Sequence, residues 1–226
     1  MLNPIDAFRG LRAIARVVRD PNQLDEIFVL ADLSEKSPSL EAAVERFRQD
    51  PVLGEAFDRK PRLGPVDQDA LGRLPEGTLG REYHEFMAAR GLRHESLKLV
   101  ETGDEGDMDW IRNHLRETHD LWHVVTGFDT DLPGELGLQA FYCAQVKGPL
   151  PVLILSIGLL NTFLMAMEDL DARMAAISHG YQLGKQTAPM FGLDFRAHFD
   201  RPLADLRREL GLPVDAPKAV AQAIAA

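Results

Sequence analysis

The chain has 226 residues, of which 45% are hydrophobic and 27% charged, so it fits one large domain or two small ones and is not disordered as a whole. A formal net charge of −10 argues against nucleic acid as the main partner, because phosphate binding needs a basic surface, and also against simple electrostatic adhesion to anionic lipid. Cys143 is the single cysteine, which excludes an intramolecular disulfide and favours a reducing compartment. Its apolar neighbours predict a buried thiol that acts as a small hydrophobe.

The N-terminal residues predict a surface helix of the folded protein. Asn3 and Pro4 supply a cap and a first-turn proline. Four arginines follow at helical spacing: Arg9, Arg12, Arg16 and Arg19. Transit peptides also carry such arginines, but they are rich in serine and poor in acidic residues, whereas this segment contains Asp6 and Asp20 and no serine. We therefore expect a cytoplasmic protein of bacterial type.

Helix start and stop signals continue along the chain, and strand-like alternation is nearly absent. Ser37-Pro38 opens a helix that ends near Asp50-Pro51. The stretch 59–77 is rich in proline and glycine and predicts a seam between a small N-terminal helical layer, residues 1–60, and a main bundle.

The main bundle is predicted over residues 79–212. A helix over residues 81–92 closes at a glycine, and a long helix begins with Asp107 as its cap and ends at Gly127. The next helix begins around Glu135, after a Pro-Gly turn.

The sequence thus predicts an all-α fold, a multi-helix bundle with a small N-terminal helical layer. We expect residues 1–226 to form a single all-helical domain. The Ala-rich end, residues 213–226, is predicted as a frayed tail.

Residues 150–167 form an apolar run without a charged side chain. Spanning a bilayer takes about 20 apolar residues, so the length is marginal, and Gly158, Asn161 and Thr162 lower the hydrophobicity of its centre. Three interpretations stay open: a buried central helix or one in a homo-oligomer interface, a helix that lines a lipid pocket, and a membrane-spanning helix.

The strongest chemical pattern is the sequence HDLWH at residues 119–123. His119 and His123 are four residues apart, so a helix places both imidazoles on one face, within reach of one metal ion. Asp120 lies about 100° further around the helix and can bind the ion or orient a histidine. Glu135 follows a glycine break and a turn, and can project from the start of the next helix toward the same point.

Two imidazoles with one or two carboxylates suit zinc, ferrous iron or manganese, whereas magnesium prefers oxygen ligands alone. Helices that bind no metal also carry histidine pairs at this spacing. The alternative that the chain is a purely structural helical protein, in which the two histidines bind no metal, therefore stays open. We interpret His114 as a bystander, and His84 and His198 as structural or solvent-facing. Arg112 and Arg116 are candidates for clamping an anionic head group, although arginines on a helix are more often simply solvated.

The motif and its flanks resemble the fourth coenzyme Q (ubiquinone) biosynthesis protein family. The family signature is HDxxH, eleven residues and then Glu, which HDLWH followed by Glu135 matches. KPRL and LPEGTLGREYHEFM upstream, and Gly134-Glu135 and LADLRRELGL downstream, extend the resemblance over nearly the whole chain. Where the family often has Trp before its last helix, this chain has Phe199-Asp200.

The resemblance implies a metal at His119, Asp120, His123 and Glu135, usually described as zinc, with iron or magnesium as alternatives. It also implies a membrane-associated homodimer at the bacterial inner membrane that binds a polyprenylated quinone precursor beside other quinone biosynthesis enzymes.

Two roles are attributed to the family. One is removal of the ring carboxylate from a prenylated hydroxybenzoate, with replacement by hydroxyl; the other is non-catalytic organisation of the biosynthetic enzymes and presentation of the lipid. In the catalytic role, Glu135 or Asp120 would shuttle a proton where it is not a tight ligand. An oxidative step would need iron in the same ligands, because zinc has no redox chemistry.

Overall fold

The computed structural model describes residues 3–21, 23–34, 38–94 and 106–224. Over these ranges the chain forms α-helices and short 3₁₀ helices, and the one β-type contact is an isolated bridge between Thr78 and Pro202. The prediction of an all-α fold is confirmed.

Twelve α-helices follow one another along the described part of the chain. Their bounds are α1 (Pro4–Arg19), α2 (Leu24–Ser34), α3 (Pro38–Gln49), α4 (Pro51–Arg59), α5 (Gln68–Leu71), α6 (Leu79–Ala89), α7 (Asp107–Thr126), α8 (Leu132–Gln145), α9 (Pro149–Met165), α10 (Leu170–Gln186), α11 (Leu203–Leu210) and α12 (Ala216–Ile224). Two 3₁₀ helices, Met167–Asp169 and Phe195–His198, flank α10.

The chain divides into two compact units, each assembled from separate stretches. The first comprises residues 1–47, 129–185 and 220–226, and the second comprises residues 48–128 and 186–219. The division near residue 47 does not coincide with the seam predicted over residues 59–77. A single all-helical domain stays a prediction.

In the first unit, α1, α2 and α9 pack on one another. Their core contains Ala13, Val17, Leu30 and Ile157, all of them buried. A Cβ at Gly10 would lie 3.1 Å from Leu33 Cδ1, so the missing side chain lets α1 approach α2 closely.

Polar groups at the centre of α9 are buried and satisfied. Asn161 donates to Val18 O at 2.7 Å and accepts from Arg173 Nη1 at 2.7 Å. Arg173 also donates to Thr162 Oγ1 and forms an ion pair with Asp169 at 2.9 Å. Asn161 and Thr162, two of the three residues that lower the hydrophobicity of the run, therefore tie α9 to α1 and α10.

The other side of α9 is apolar and exposed. Its exposed members are Val152, Leu159, Leu160, Phe163, Leu164 and Met165. The interpretation of residues 150–167 as a buried central helix therefore holds for one side of α9 only. No helix within the described ranges has the length and apolar content that a membrane crossing requires.

In the second unit, the predicted seam is packed tightly against α7. Glu117 is buried, accepts from Arg62 Nη2 at 2.7 Å and accepts from the Leu63 N–H at 2.9 Å. Pro61 O accepts from Trp110 Nε1 at 3.0 Å. Residues 61–63 thus form part of the core around α7, although their composition is that of a loop.

Three predicted helices differ in their bounds from the structure: α6 spans Leu79–Ala89 rather than residues 81–92, and the starts of α7 and α8 also differ. Gly106 is the N-cap of α7, and Asp107 is its first residue, paired with Lys60 at 3.0 Å. α8 begins at Leu132 rather than around Glu135, because the Asp131 carboxylate accepts from the Gly134 N–H and proline is tolerated in a first turn.

The C-terminal residues also differ from the prediction of a frayed tail. Residues 216–224 form α12, in which Ala216 and Val220 are buried. The burial of one apolar side explains why this Ala-rich segment is ordered as a helix.

Candidate metal centre

Helix α7 carries the candidate metal-binding histidines and has a strongly buried face. Trp110, His114, Glu117 and Leu121 follow one another at steps of three or four residues and are all buried. His123 is buried as well, whereas His119 is half-buried.

The two histidines of the motif face each other. His119 Nε2 lies 3.3 Å from His123 Nε2, and the rings are perpendicular with their centroids 4.8 Å apart. Two nitrogens bound to one tetrahedral zinc at 2.0–2.1 Å would be about 3.3 Å apart. The spacing of the two nitrogens is compatible with a shared ion, and it is also within hydrogen-bonding range of the two rings.

The orientation of the His123 ring is fixed from its other side. Its Nδ1–H donates to Phe128 O at 3.0 Å, and a carbonyl can only accept, so the proton of the neutral ring lies on Nδ1. In this tautomer Nε2 carries the lone pair, which is the form in which an imidazole nitrogen binds a metal. Histidines that ligate metals usually donate their second nitrogen in this way.

The chain turns sharply after α7, and this turn positions the Phe128 carbonyl. Gly127 has φ +83° and its N–H donates to His123 O at 2.8 Å. A Cβ at Gly127 would lie 2.5 Å from Pro217 N, so both the left-handed conformation and the close packing require glycine.

A buried arginine from α11 completes the end of α7. Arg207 Nε donates to Val125 O at 3.0 Å, and its Nη2 donates to Val124 O at 2.8 Å. These carbonyls belong to the last turn of α7, where helix carbonyls lack partners within the helix and a cation is favourable. Burial lowers the pKa of Arg207.

An aromatic stack lies beside His123. Phe86 of α6 stacks on the His123 ring with centroids 5.8 Å apart, and the Arg90 guanidinium lies 3.7 Å from the Phe86 centroid. This stack restrains the ring of His123 laterally, in addition to the restraint from the Phe128 carbonyl.

Glu135 is the third residue of a possible metal-binding triad. It lies in the first turn of α8, and one ligand atom from each of His119, His123 and Glu135 lies within 4.8 Å of the other two. Asp120, which is half-buried, is not a member of this group, and its role as a ligand or a catalytic residue stays a prediction.

The donor set fits a divalent transition metal. Two imidazole nitrogens and one carboxylate oxygen suit zinc or ferrous iron, and three protein ligands leave positions open for substrate or water. Magnesium fits less well, because it prefers oxygen ligands. His119, His123 and Glu135 form a possible metal-binding triad, whereas the binding of a metal and the identity of that metal stay predictions.

The other histidines have structural surroundings. His114 is buried with Nδ1–H donating to Pro61 O at 3.1 Å and Nε2 accepting from the Gly192 N–H at 3.1 Å, and burial lowers its pKa to about 4. The Nδ1 atom of His84 lies 2.8 Å from Gln68 O, within hydrogen-bonding distance.

His198 accepts from Arg201 Nη1 at 3.0 Å, so it is not isolated, although it is not a member of the ligand group. Cys143 is half-buried, and burial raises the pKa of its thiol to about 11, which keeps it protonated and unreactive. Arg112 lies 3.8 Å from Asp109, and a head-group role for it stays a prediction.

Sequence reasoning missed three residues that support the site: Glu117, Arg207 and Phe86. Glu117 could have been found, because a carboxylate at a core position of the α7 spacing predicts a buried ion pair. The contacts of Arg207 and Phe86 with α7 span long sequence separations, and no local pattern in the sequence indicates them.

Comparison with known proteins adds an independent finding. The sequence profile of the family described as coenzyme Q (ubiquinone) biosynthesis protein Coq4 matches residues 8–215. A relative from Nematostella vectensis, described as a mitochondrial COQ4 homolog for ubiquinone biosynthesis, is 29% identical over 170 residues, covering 74% of this chain and 82% of the relative. The Homo sapiens protein of the same description is 25% identical over 200 residues, covering 88% of this chain and 74% of that protein.

A solved structure is also similar. A crystal structure from Nostoc punctiforme PCC 73102, of a protein provisionally described as acting in ubiquinone biosynthesis, matches with a TM-score of 0.79 and 31% sequence identity. The match covers 92% of this chain and 98% of that chain. The family match over residues 8–215 includes the candidate metal centre and its flanking helices.

Proposed function

This chain belongs to the Coq4 family of coenzyme Q (ubiquinone) biosynthesis proteins, and on that premise we propose that it binds a divalent metal and a polyprenylated hydroxybenzoate and removes the ring carboxylate. The observation that best supports the metal is the 3.3 Å separation of His119 Nε2 and His123 Nε2, with the opposite nitrogen of His123 tied to a carbonyl.

His119, His123 and Glu135 would hold the ion. A divalent ion bound there would supply positive charge to offset the negative charge that develops as carbon dioxide leaves the ring. The Phe128 carbonyl keeps the His123 proton on Nδ1, and the Phe86 ring keeps the imidazole from rotating. Asp120, one residue from a ligand, is the carboxylate proposed to hold or deliver the proton.

Replacing the ring carboxylate by hydroxyl is a two-electron oxidation: the C–C bond to carbon dioxide breaks, a C–O bond to an oxygen atom from water or dioxygen forms, and dioxygen accepts the electrons. A metal that takes part in this electron transfer has to change oxidation state. Zinc cannot serve in that step, whereas iron in a set of two histidines and a carboxylate can. Loss of carbon dioxide without oxidation would instead place a proton on the ring carbon and would not require a redox metal.

The ligand and partners form the second part of the proposal. The exposed apolar side of α9 supports contact with a polyprenyl chain or with a second copy of the chain in a homodimer. Peripheral contact with the bacterial inner membrane and association with other quinone biosynthesis enzymes belong to the same proposal.

The first test is the metal. The protein is purified without chelators, and bound zinc, iron and manganese are measured for the natural chain, for His119→Gln and for a His198→Gln control. We expect one ion per chain in the natural protein and the control, and background levels in His119→Gln. Equal metal in all three would contradict the proposed ligands.

The second test is turnover. The iron-loaded and the zinc-loaded proteins are incubated with a short-chain prenylated hydroxybenzoate, with and without dioxygen, and the release of carbon dioxide is measured. Release that needs iron and dioxygen supports the oxidative reaction. If no metal supports release but the lipid still binds, the alternative function holds: a non-catalytic scaffold that presents the lipid to other enzymes.

A further inference from the structure

Helix α1 has an exposed apolar stripe. The side chains of Ile5, Phe8 and Leu11 are 73%, 70% and 66% exposed. Residues three apart on a helix are turned by about 300°, so these three side chains lie within about 120° of one another around the axis. Three large apolar side chains on one solvent-facing stripe differ from the singly scattered apolar residues of an ordinary surface.

Cationic side chains share this stripe. At about 100° per residue, Arg12 and Arg19 project between Ile5 and Phe8 around the axis. Both arginines are exposed. The stripe therefore combines apolar side chains near the start of α1 with guanidinium groups toward its end.

Acidic groups are absent from the exposed face of this helix. Asp6, the one carboxylate of α1, is buried, accepts from Asn3 Nδ2 at 3.1 Å and lies 3.8 Å from Arg9 Nη1. Arg16 is paired with the buried Glu26 of α2.

Arg12 and Arg19 form no ion pair with any carboxylate in the described part of the chain. Two of the four arginines thus keep their full charge for an external partner. The net charge of −10 argues against lipid adhesion for the chain as a whole, but exposed charges further apart than about 8 Å are largely screened at physiological salt, so a local cationic stripe acts on its own.

We propose that the exposed face of α1, formed by Ile5, Phe8, Leu11, Arg12 and Arg19, docks on an anionic phospholipid surface. A bilayer offers phosphates at one depth and acyl chains just below, which matches apolar and guanidinium groups on one arc of a helix that lies in the interface plane. This surface deepens the peripheral membrane contact proposed above, and it requires neither a bound metal nor turnover.

The test uses the full chain and lipid vesicles of phosphatidylcholine, with and without phosphatidylglycerol. Cosedimentation measures the affinity of the natural protein, of Arg12→Gln/Arg19→Gln and of the control Arg59→Gln/Arg73→Gln, whose arginines belong to the second unit. Each arginine near an anionic surface contributes about fivefold, so we expect a loss of about 25-fold for the α1 variant and little change for the control. Vesicles of phosphatidylcholine alone should bind the natural protein and both variants weakly and with equal affinity.

The apolar part has its own pair of variants. Phe8→Ser/Leu11→Ser should weaken binding to anionic vesicles, while Leu92→Ser/Val214→Ser, which alters exposed apolar residues of the second unit, should not. Circular dichroism confirms that every variant is folded.

Equal affinity of the α1 variants and their controls, or equal binding to neutral and anionic vesicles, would overturn the proposal. If the α1 arginines prove necessary for capturing an acidic protein partner but not for vesicle binding, the lipid surface is likewise overturned. Absence of metal or turnover leaves these measurements unchanged, so the two proposals fail separately.

Discussion

Helices α7 and α9 both depart from the usual burial of apolar side chains and exposure of polar ones, but in opposite ways. α7 buries polar side chains: Asn113, His114, Glu117, Thr118, His123 and Thr126. α9 exposes apolar ones: Val152, Leu159, Leu160, Phe163, Leu164 and Met165. Burying a polar group costs free energy unless it is hydrogen-bonded, and exposing large apolar groups forgoes the free energy of their burial.

The two helices differ in whether other parts of the chain compensate for these unfavourable contributions to the free energy. The buried polar groups of α7 find partners in the second unit: Pro61 O and the Gly192 N–H for His114, Arg62 for Glu117, and Phe128 O for His123. The exposed side of α9 has no comparable cover from the described residues of the chain. We therefore expect substitutions in α7 to change stability or metal binding, and substitutions on the exposed side of α9 to change association instead.

The largest effect is expected for Glu117→Ala. It leaves the charge of Arg62 and the Leu63 N–H without their acceptor, so the free energy of unfolding should fall by about 4 kcal/mol. Urea unfolding measures this, with Asp205→Asn as the control, since the exposed pair of Asp205 and Arg208 should contribute less than about 1 kcal/mol. A small loss for Glu117→Ala would mean that the buried pair is not a stabilising part of α7.

Acid should destabilise the protein through His114. Burial lowers the pKa of this imidazole from its ordinary value of 6.5 to about 4, so below pH 6.5 the unfolded chain takes up a proton that the folded chain does not. This contribution to stability is complete above pH 6.5 and decreases by up to about 3 kcal/mol as the pH falls to 4.

The measurement is the free energy of unfolding at about pH 7, 5 and 4 for the natural chain and for His114→Gln. The variant should be less stable at neutral pH and should lose less stability on acidification. Parallel curves for the two proteins would assign the acid sensitivity to other groups, among them His179 and His198, whose pKa values are also lowered by burial.

His123→Gln should weaken metal binding by about 100-fold, or about 2.7 kcal/mol, because removing even an indirect support of a ligand costs 10–100-fold. Competition with a chromogenic chelator measures the affinity. His198→Gln serves as the matched control and should keep the natural affinity. Retention of affinity by His123→Gln would show that α7 buries this imidazole for a structural reason alone.

The smallest effect on stability is expected for Phe163→Ser on the exposed side of α9, within about 0.5 kcal/mol. Ile157→Ala on the same helix should cost about 2–5 kcal/mol, since Ile157 is buried in the core of α1, α2 and α9. Both are measured at low protein concentration, and sedimentation then compares association of the two variants. A large loss of unfolding free energy for Phe163→Ser at low protein concentration would contradict the expectation that the exposed side of α9 contributes to association rather than to stability.

Local patterns predict much of the fold. Asn3 and Pro4 mark the start of α1, and Gly127 marks the end of α7, as the positive φ of this glycine confirms. The bounds of α6 and the starts of α7 and α8 differ from the prediction. At α8 the reason is that the Pro-Gly pair that resembles a break lies inside the first turn, after the Asp131 cap.

The candidate site is predictable in part for the same reason. The spacing of four residues places His119 and His123 on one face of the helix, whatever surrounds them. The spacing cannot indicate the Phe128 carbonyl that selects the tautomer of His123, or the Phe86 ring that stacks on it, because both depend on turns and packing beyond one helix. Asp120, equally prominent in the sequence, is not among the three grouped ligands.

By itself, the sequence determined the helical class, most helix ends and the pairing of the two imidazoles, because each of these follows from hydrogen bonding and periodicity within about one or two turns of chain. Tertiary structure alone decided that residues 61–63 would pack on α7, that Arg207 would close its last turn, and which apolar side chains of α1 and α9 would remain exposed. These outcomes depend on which surfaces meet across long sequence separations, and local pattern carries no information about that.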